Sequence, residues 1–198
     1  MSKLDALKNR LSKITDFAHI SSIMQSEART DFLVIDHEGQ SYIVIDNNFD
    51  KFTINTYGIH KTVNGFDETK LFYILNAKFI IFIPIDGKNG LLGYGESHCD
   101  CVLFDENDFC FIEFKLNAIS IEGRAIRKNR NKAINQLSNT IDLFDKKLER
   151  NYESLNLEAY VCSPQSYHRD DASWKSISVA FLEKYGISLF ETNEKKCK

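Results

Sequence analysis

The chain has 198 residues, of which 43% are apolar and 27% charged, enough for a sizeable core and too apolar for a disordered or fibrous chain. A formal net charge of −3 excludes the uniformly basic make-up of a general nucleic-acid binder, although a bulk average can hide a local patch. Five cysteines, and a start (MSKLDALKNRLSKI) without the apolar stretch of a signal peptide, point to reduced thiols in a soluble, cytoplasmic protein. The longest apolar run, FIIFIPI at 79–85, is too short to cross a bilayer.

Residues 3–28 read as a helix, because Leu4, Leu7, Leu11, Ile14 and Ala18 recur at 3/4 spacing between charges. DFLVIDHEGQSYIVID, Asp31 to Asp46, has two β-branched runs around a Gly-containing turn and reads as a hairpin, with KFTINTY as a third strand. DETKLFYIL, Asp67 to Leu75, is short and ambiguous, with a slight helix preference. AKFIIFIPI is a buried strand by length and β-branching. Strands near Cys99–Phe104 and Phe109–Leu116 follow, then a helix over roughly 120–149 with Ile126, Ala133, Ile134, Leu137, Ile141, Phe144 and Leu148 as its apolar stripe. A strand at 157–163, a helix ending at Gly186 and a strand, ISLFET, complete the chain. The order strand, strand, strand, helix, strand, helix, strand implies an α/β fold with a mixed sheet flanked by helices. No linker divides the sequence, so it reads as a single domain over 1–198.

The hairpin CDCVLFDENDFCFIEFK carries charges in its most strand-like part. Strand alternation puts Phe109, Phe111, Glu113 and Lys115 on one face, with Cys110, Ile112, Phe114 and Leu116 on the other. On the preceding strand, Asp100, Val102 and Phe104 oppose Cys99, Cys101 and Leu103. In the right register, Asp100 lies beside Glu113 and Lys115, giving two carboxylates and an ammonium on one face. Two carboxylates are hard oxygen ligands for Mg²⁺, and a nearby Lys can bind a phosphate or position a water. Burying such acids without a cation is costly. Acid-x-Lys alone is uninformative, since the chain has five such triplets, beginning at Glu68, Asp86, Glu113, Asp145 and Glu194. The third stands inside a strong strand with an Asp-bearing partner before it and a helix after it. The Asp86 triplet falls in a Gly-rich turn.

CDCVLF…CFIEFK resembles the core of the PD-(D/E)xK nuclease superfamily, also called restriction-endonuclease-like, over about 80–163. The resemblance implies an αβββαβ core within 78–198, with 1–77 as an N-terminal elaboration of helix and β-hairpin. It implies Asp100 and Glu113 as metal ligands for Mg²⁺ or Mn²⁺, Lys115 as the catalytic lysine, and Gln136 of KAINQLSNTI as the glutamine that some branches carry. There is no Pro before Asp100, and 119–132 looks like an insertion. The family's further acid has no clear match, Glu68 and Glu96 being the candidates.

RAIRKNRNK places Arg124, Arg127, Lys128, Arg130 and Lys132 just after the hairpin, a composition that suits phosphate contacts, or else a solvated helix face. Cys99, Cys101 and Cys110 do not have zinc-ligand spacing and read as small buried hydrophobes on the face away from Asp100. His168 and Arg169 are lone loop residues with little claim to a substrate role. The resemblance implies a Mg²⁺-dependent nuclease, DNA preferred over RNA, of the kind found in restriction or anti-phage defence. A homodimer or protein partner subunits are further associations it allows. The alternatives are a non-catalytic nuclease-fold subunit of a larger complex, or an unrelated α/β domain.

Overall fold

The computed structural model describes residues 1–48, 51–56, 59–65, 67–94, 97–169 and 171–198. Leu4, Leu7 and Leu11 share one buried stripe, and Ser2 accepts a hydrogen bond from Asp5 N, so helix α1 runs Lys3–Leu11. The helix expected over 3–28 ends there. Ile14 is extended, a 3-10 turn (Thr15–Phe17) and short α2 (Ile20–Ile23) follow, and the chain enters strand β1, Gln25–Glu27. Pairing of β1 with Ile80–Phe82 is the reason: an open sheet edge outweighs a weak continuation of the 3/4 pattern.

The expected hairpin forms from β2 (Phe32–His37) and β3 (Gln40–Asn48), turning through Glu38 and Gly39, both at positive φ. β4 (Lys51–Thr56) is the anticipated third strand, and β5 (Ile59–Asn64) extends it. Leu71–Leu75, given a slight helix preference above, is strand β6. Its alternate residues Phe72 and Ile74 are buried between two sheets, so tertiary pairing decided an ambiguous local signal. β7 (Ile80–Pro84), β8 (Cys101–Phe104), β9 (Asp108–Phe114), α3 (Gly123–Leu148), β10 (Asn156–Cys162), α4 (Ala172–Tyr185) and β11 (Ser188–Glu191) follow in the anticipated order. A last short strand, β12 (Glu194–Lys196), was not anticipated.

Among the described residues the strands form two mixed six-stranded sheets, in the orders β1-β7-β8-β9-β10-β11 and β12-β6-β2-β3-β4-β5. In the first, β9, β10 and β11 are parallel, with α3 and α4 as the crossovers that parallel pairing requires. One face of this sheet packs Val102, Phe104, Phe109 and Phe111 against Leu7 and Leu11 of α1 and Leu137, Ile141 and Phe144 of α3. The other face packs Cys101, Leu103, Cys110 and Ile112 against Phe32, Val34, Phe72 and Ile74 of the second sheet. The molecule is a three-layer α/β structure, helices on sheet on sheet. No helix among the described residues is long and apolar enough to cross a membrane.

β12 is held by charge rather than by apolar area. Lys195, 4% exposed, donates to Asp108 Oδ2 at 2.8 Å and Glu158 Oε2 at 2.7 Å, while β12 pairs with β6. It thus clamps β9 and β10 of the first sheet to the second. Lys195→Ala leaves two acids without their cation at a dry interface, and should cost about 3–5 kcal/mol in chemical denaturation. A denaturation midpoint like that of the wild type would show that the clamp contributes nothing.

Candidate active site

The β8–β9 register sets the site. Cys101 pairs with Ile112 and Val102 with Phe111; Asp100, just before β8, also donates its N–H to Ile112 O at 3.0 Å, which holds it beside the end of β9. Alternation puts Glu113 on the helix-covered face, in line with Phe111. That face is aromatic from Phe109 to Phe111 and turns acidic at Glu113. Asp100 Oδ2 accepts from Phe114 N at 2.5 Å.

Glu113 is 1% exposed. Its Oε1 pairs with Lys115 Nζ, and its Oε2 has no hydrogen-bond partner. Lys115 Nζ also donates to Gln136 Oε1 at 2.9 Å and Phe114 O at 3.2 Å. Gln136, buried on α3, donates from Nε2 to His98 O at 2.9 Å. One turn on, Thr140 Oγ1 receives Cys99 N at 2.8 Å. Gln136 and Thr140 thereby fasten α3 to the segment that delivers Asp100. Asp100, Glu113, Lys115 and Gln136 come together as one constellation.

Two further acids bear on it. Asp86 follows β7, and its N–H and that of Ile85 both point to Asp100 O, at 3.4 and 2.9 Å. Asp36 comes from β2, on the same strand face as Phe32 and Val34, which pack on the first sheet. Burial pushes the Asp36 carboxyl up, as it does that of Asp100, which rises to about 7 with the Asp36 charge as the next cause. Burial draws the Lys115 ammonium down to about 8; Asp100 opposes this, and the charge of Lys132 adds to it. Asp36 was missed because nothing local in β2 marks it. Its only signal was an acid interrupting the buried alternation Phe32-x-Val34-x. Asp86 had been set aside as a turn residue; it is in a turn, and that turn abuts the site.

These residues fit a divalent cation in their chemistry: hard carboxylate oxygens, one of them buried without a partner, beside a cation that already offsets their charge. Asp100 and Glu113 would hold it. Among the described residues no three Asp, Glu, His or Cys side chains converge at ligand distance, and Lys115 stands where acids need a positive charge.

The basic segment divides. Arg124, Arg127, Lys128 and Lys132 are exposed on α3 and, with Asn131 and Asn135, line a shallow groove. Arg130, expected to face nucleic acid with them, is 2% exposed. It donates to both Glu191 oxygens, to Asp171 Oδ2 and to His168 O, and lies over the rings of Tyr167 and Trp174. A 3.6-residue period turns one residue of a charge run inward, and the acids that meet it are remote in sequence. His168 presents its backbone carbonyl to Arg130, and Arg169 donates to Ser163 O at 3.4 Å. Cys101 and Cys110 sit between the sheets as expected, but Cys99 packs in the helix-side core, because strand alternation begins only at Cys101. Glu68 is exposed in a 3-10 turn before β6, and Glu96 lies outside the described residues.

No family model, no curated protein and no solved structure matches this chain.

Asp100→Asn keeps an oxygen for Phe114 N and removes the charge. The folded carboxyl titrates above the ordinary 3.8, so wild type loses stability as pH rises from about 4 to about 7, and the loss is complete above that. Thermal denaturation in EDTA should therefore find the variant more stable at about pH 8, with the gap nearly closed at about pH 4. An equal gap at both pH values would mean that the buried charge is not its cause.

Proposed function

We propose that the chain is a metal-dependent nuclease of the PD-(D/E)xK kind, with β7, β8, β9, α3 and β10 as its restriction-endonuclease-like core and DNA preferred over RNA as substrate. The observation that carries this reading is the meeting of Asp100, Glu113, Lys115 and Gln136 at one sheet end, from the hairpin β8–β9 and a helix. Few other chemistries use two acids, a lysine and no paired nucleophile and base in this way.

Phosphodiester hydrolysis forms a P–O bond to water, breaks one to the departing sugar oxygen, and moves a proton from that water to the leaving side. A Mg²⁺ or Mn²⁺ ion bound by Asp100 and Glu113 would acidify water and offset charge on the phosphate. Lys115 contributes an ammonium whose affinity for its proton is reduced by burial, so near neutral pH it can both hold a phosphate oxygen and take part in proton transfer. Gln136 is a positioning residue: its amide receives Lys115 on one side and grips His98 O on the other, which fixes the ammonium relative to Asp100. Arg124, Arg127, Lys128 and Lys132 extend positive charge from Lys115 along α3, where a phosphate backbone would lie. Ile119 and Ile121, exposed in the loop between Lys115 and α3, offer apolar contact beside it.

The test is cleavage of plasmid, linear and single-stranded DNA and of RNA, with Mg²⁺, Mn²⁺ or EDTA. Lys115→Ala and Asp100→Ala should each lower the cleavage rate by about 10²-fold or more. Cleavage that survives both substitutions would refute the assignment. In binding assays, neutralising Arg124, Arg127, Lys128 and Lys132 one at a time should each lower the log–log salt slope by about 1. Arg130→Gln should lower thermal stability and leave that slope unchanged.

A further inference from the structure

We propose that two copies of this chain form a two-fold homodimer through the free edge of the first sheet, with β11 antiparallel to the partner's β11 and α4 antiparallel to the partner's α4. β11 pairs with β10 on one side, and among the described residues no strand lies on the other. An uncovered edge presents backbone donors and acceptors to a further strand, and exposed charge is a common means of keeping strands away. The edges of the second sheet have it: β5 exposes Lys61, and β12 exposes Glu194 and Lys196. β11 does not. It exposes Ser188 and Phe190, while its one charged residue, Glu191, is turned inward onto Arg130. Phe190 remains 39% exposed although its ring lies 5.3 Å from that of Tyr160.

α4 is apolar on more than its buried side. Trp174 and Phe181 hold it to the sheet. At about 100° per residue, Ile177, Ala180 and Lys184 fall to one side of that pair, where they line a groove against Ile134 and Asn135 of α3. Lys175, Val179 and Leu182 fall to the other side, Val179 at 55% and Leu182 at 48% exposure. Because α3 crosses from β9 to β10 and α4 from β10 to β11, the side of α4 away from α3 is the side of the free edge. A four-residue edge alone is too small for a stable interface, and this helix face adds apolar area beside it.

The surface is complementary to itself, as a two-fold requires. When antiparallel α4 helices meet at Val179, Lys175 and Glu183 stand four residues to either side, so each Lys175 is level with the partner's Glu183 and both cross-pairs join opposite charges. One axis serves both elements. Val179 lies six residues before Tyr185, about 9 Å along the helix, and Phe190 three residues after Ile187, about 10 Å along the strand, so the two midpoints are level. A crossover helix lies over the midline of its two strands; with strands about 4.8 Å apart, a two-fold beside β11 sets the two α4 helices roughly 10 Å apart, an ordinary packing distance. Phe190 then meets the partner's Phe190, which covers the ring left exposed. The dimer does not depend on the chemistry of the Asp100 site.

The experiment measures the mass of the full chain by light scattering and sedimentation equilibrium over about a hundredfold dilution. Wild type should show a species of twice 22.8 kDa in reversible exchange with monomer. Val179→Asp puts like charges on the axis and should weaken the dimer at least about tenfold, with the far-UV CD spectrum unchanged because the residue is exposed. Lys175→Glu and Glu183→Lys should each weaken it, and the double variant, which restores opposite charges across the axis, should recover it. That recovery is specific to the antiparallel α4 pair. A wild-type monomer at every concentration overturns the dimer. A dimer that resists Val179→Asp and both single exchanges uses another surface and overturns this one. Species larger than a dimer would mean a head-to-tail contact, with the same consequence.

Discussion

A carboxylate at 1% exposure has to be held by something, and Glu113 is held by Lys115. That pair organises its surroundings. Lys115 turns back along the face of its own strand and needs a second acceptor, which α3 supplies through Gln136. Gln136 in turn secures His98 O, and Thr140 secures Cys99 N, so the segment entering β8 is aligned with the end of β9. Asp100 then stands at the end of β9, its N–H on Ile112 O and its carboxylate on Phe114 N. Helix, hairpin and charge meet at the point where the buried acid is compensated.

Among the described residues two other buried charge groups stand out, and the contrast is informative. Arg130 is met by Glu191, Asp171 and a carbonyl, and Lys195 by Asp108 and Glu158. In each, one cation is enclosed by acids, of which Asp171, Asp108 and Glu158 carry further hydrogen bonds of their own. Both groups tie remote elements together: α3 to α4 and β11, and the first sheet to β12. The group around Lys115 has one cation among Asp36, Asp86, Asp100 and Glu113, with oxygens left over. The first two are closed and serve cohesion. The third has acids in excess and open oxygens.

Much of the hairpin site was legible in the residues. A strand has a period of two, so Phe109, Phe111 and Glu113 must share a face wherever the strand goes, and a four-residue polar turn leaves very few registers, which brings Asp100 to the Glu113 end of the hairpin. Gln136 was legible as a boundary residue of the α3 stripe. Arg130 was not, because its place in a run of cations looks the same whether it faces solvent or Glu191. Asp36 was not, because it is some 60 residues from Asp100 and belongs to another sheet. The short elements were misjudged for a related reason: β1 and β6 owe their conformation to the strands beside them, β7 in one case and β2 in the other.

By itself the sequence determined what short-range geometry controls: which faces of the long strands and of α3 are apolar, where the β2–β3 turn falls, and that an acid, an acid and a lysine share the end of one hairpin. Only the tertiary structure decided that a second sheet covers the first, that Gly87 and Gln40 lock the β2–β3 hairpin against the Asp86 turn, and that Arg130 leaves the basic face. Periodicity states which way a side chain points from its own backbone. It does not state which distant surface will be there to meet it, and burial, charge compensation and pairing of sheet edges settle that only when the whole chain is packed.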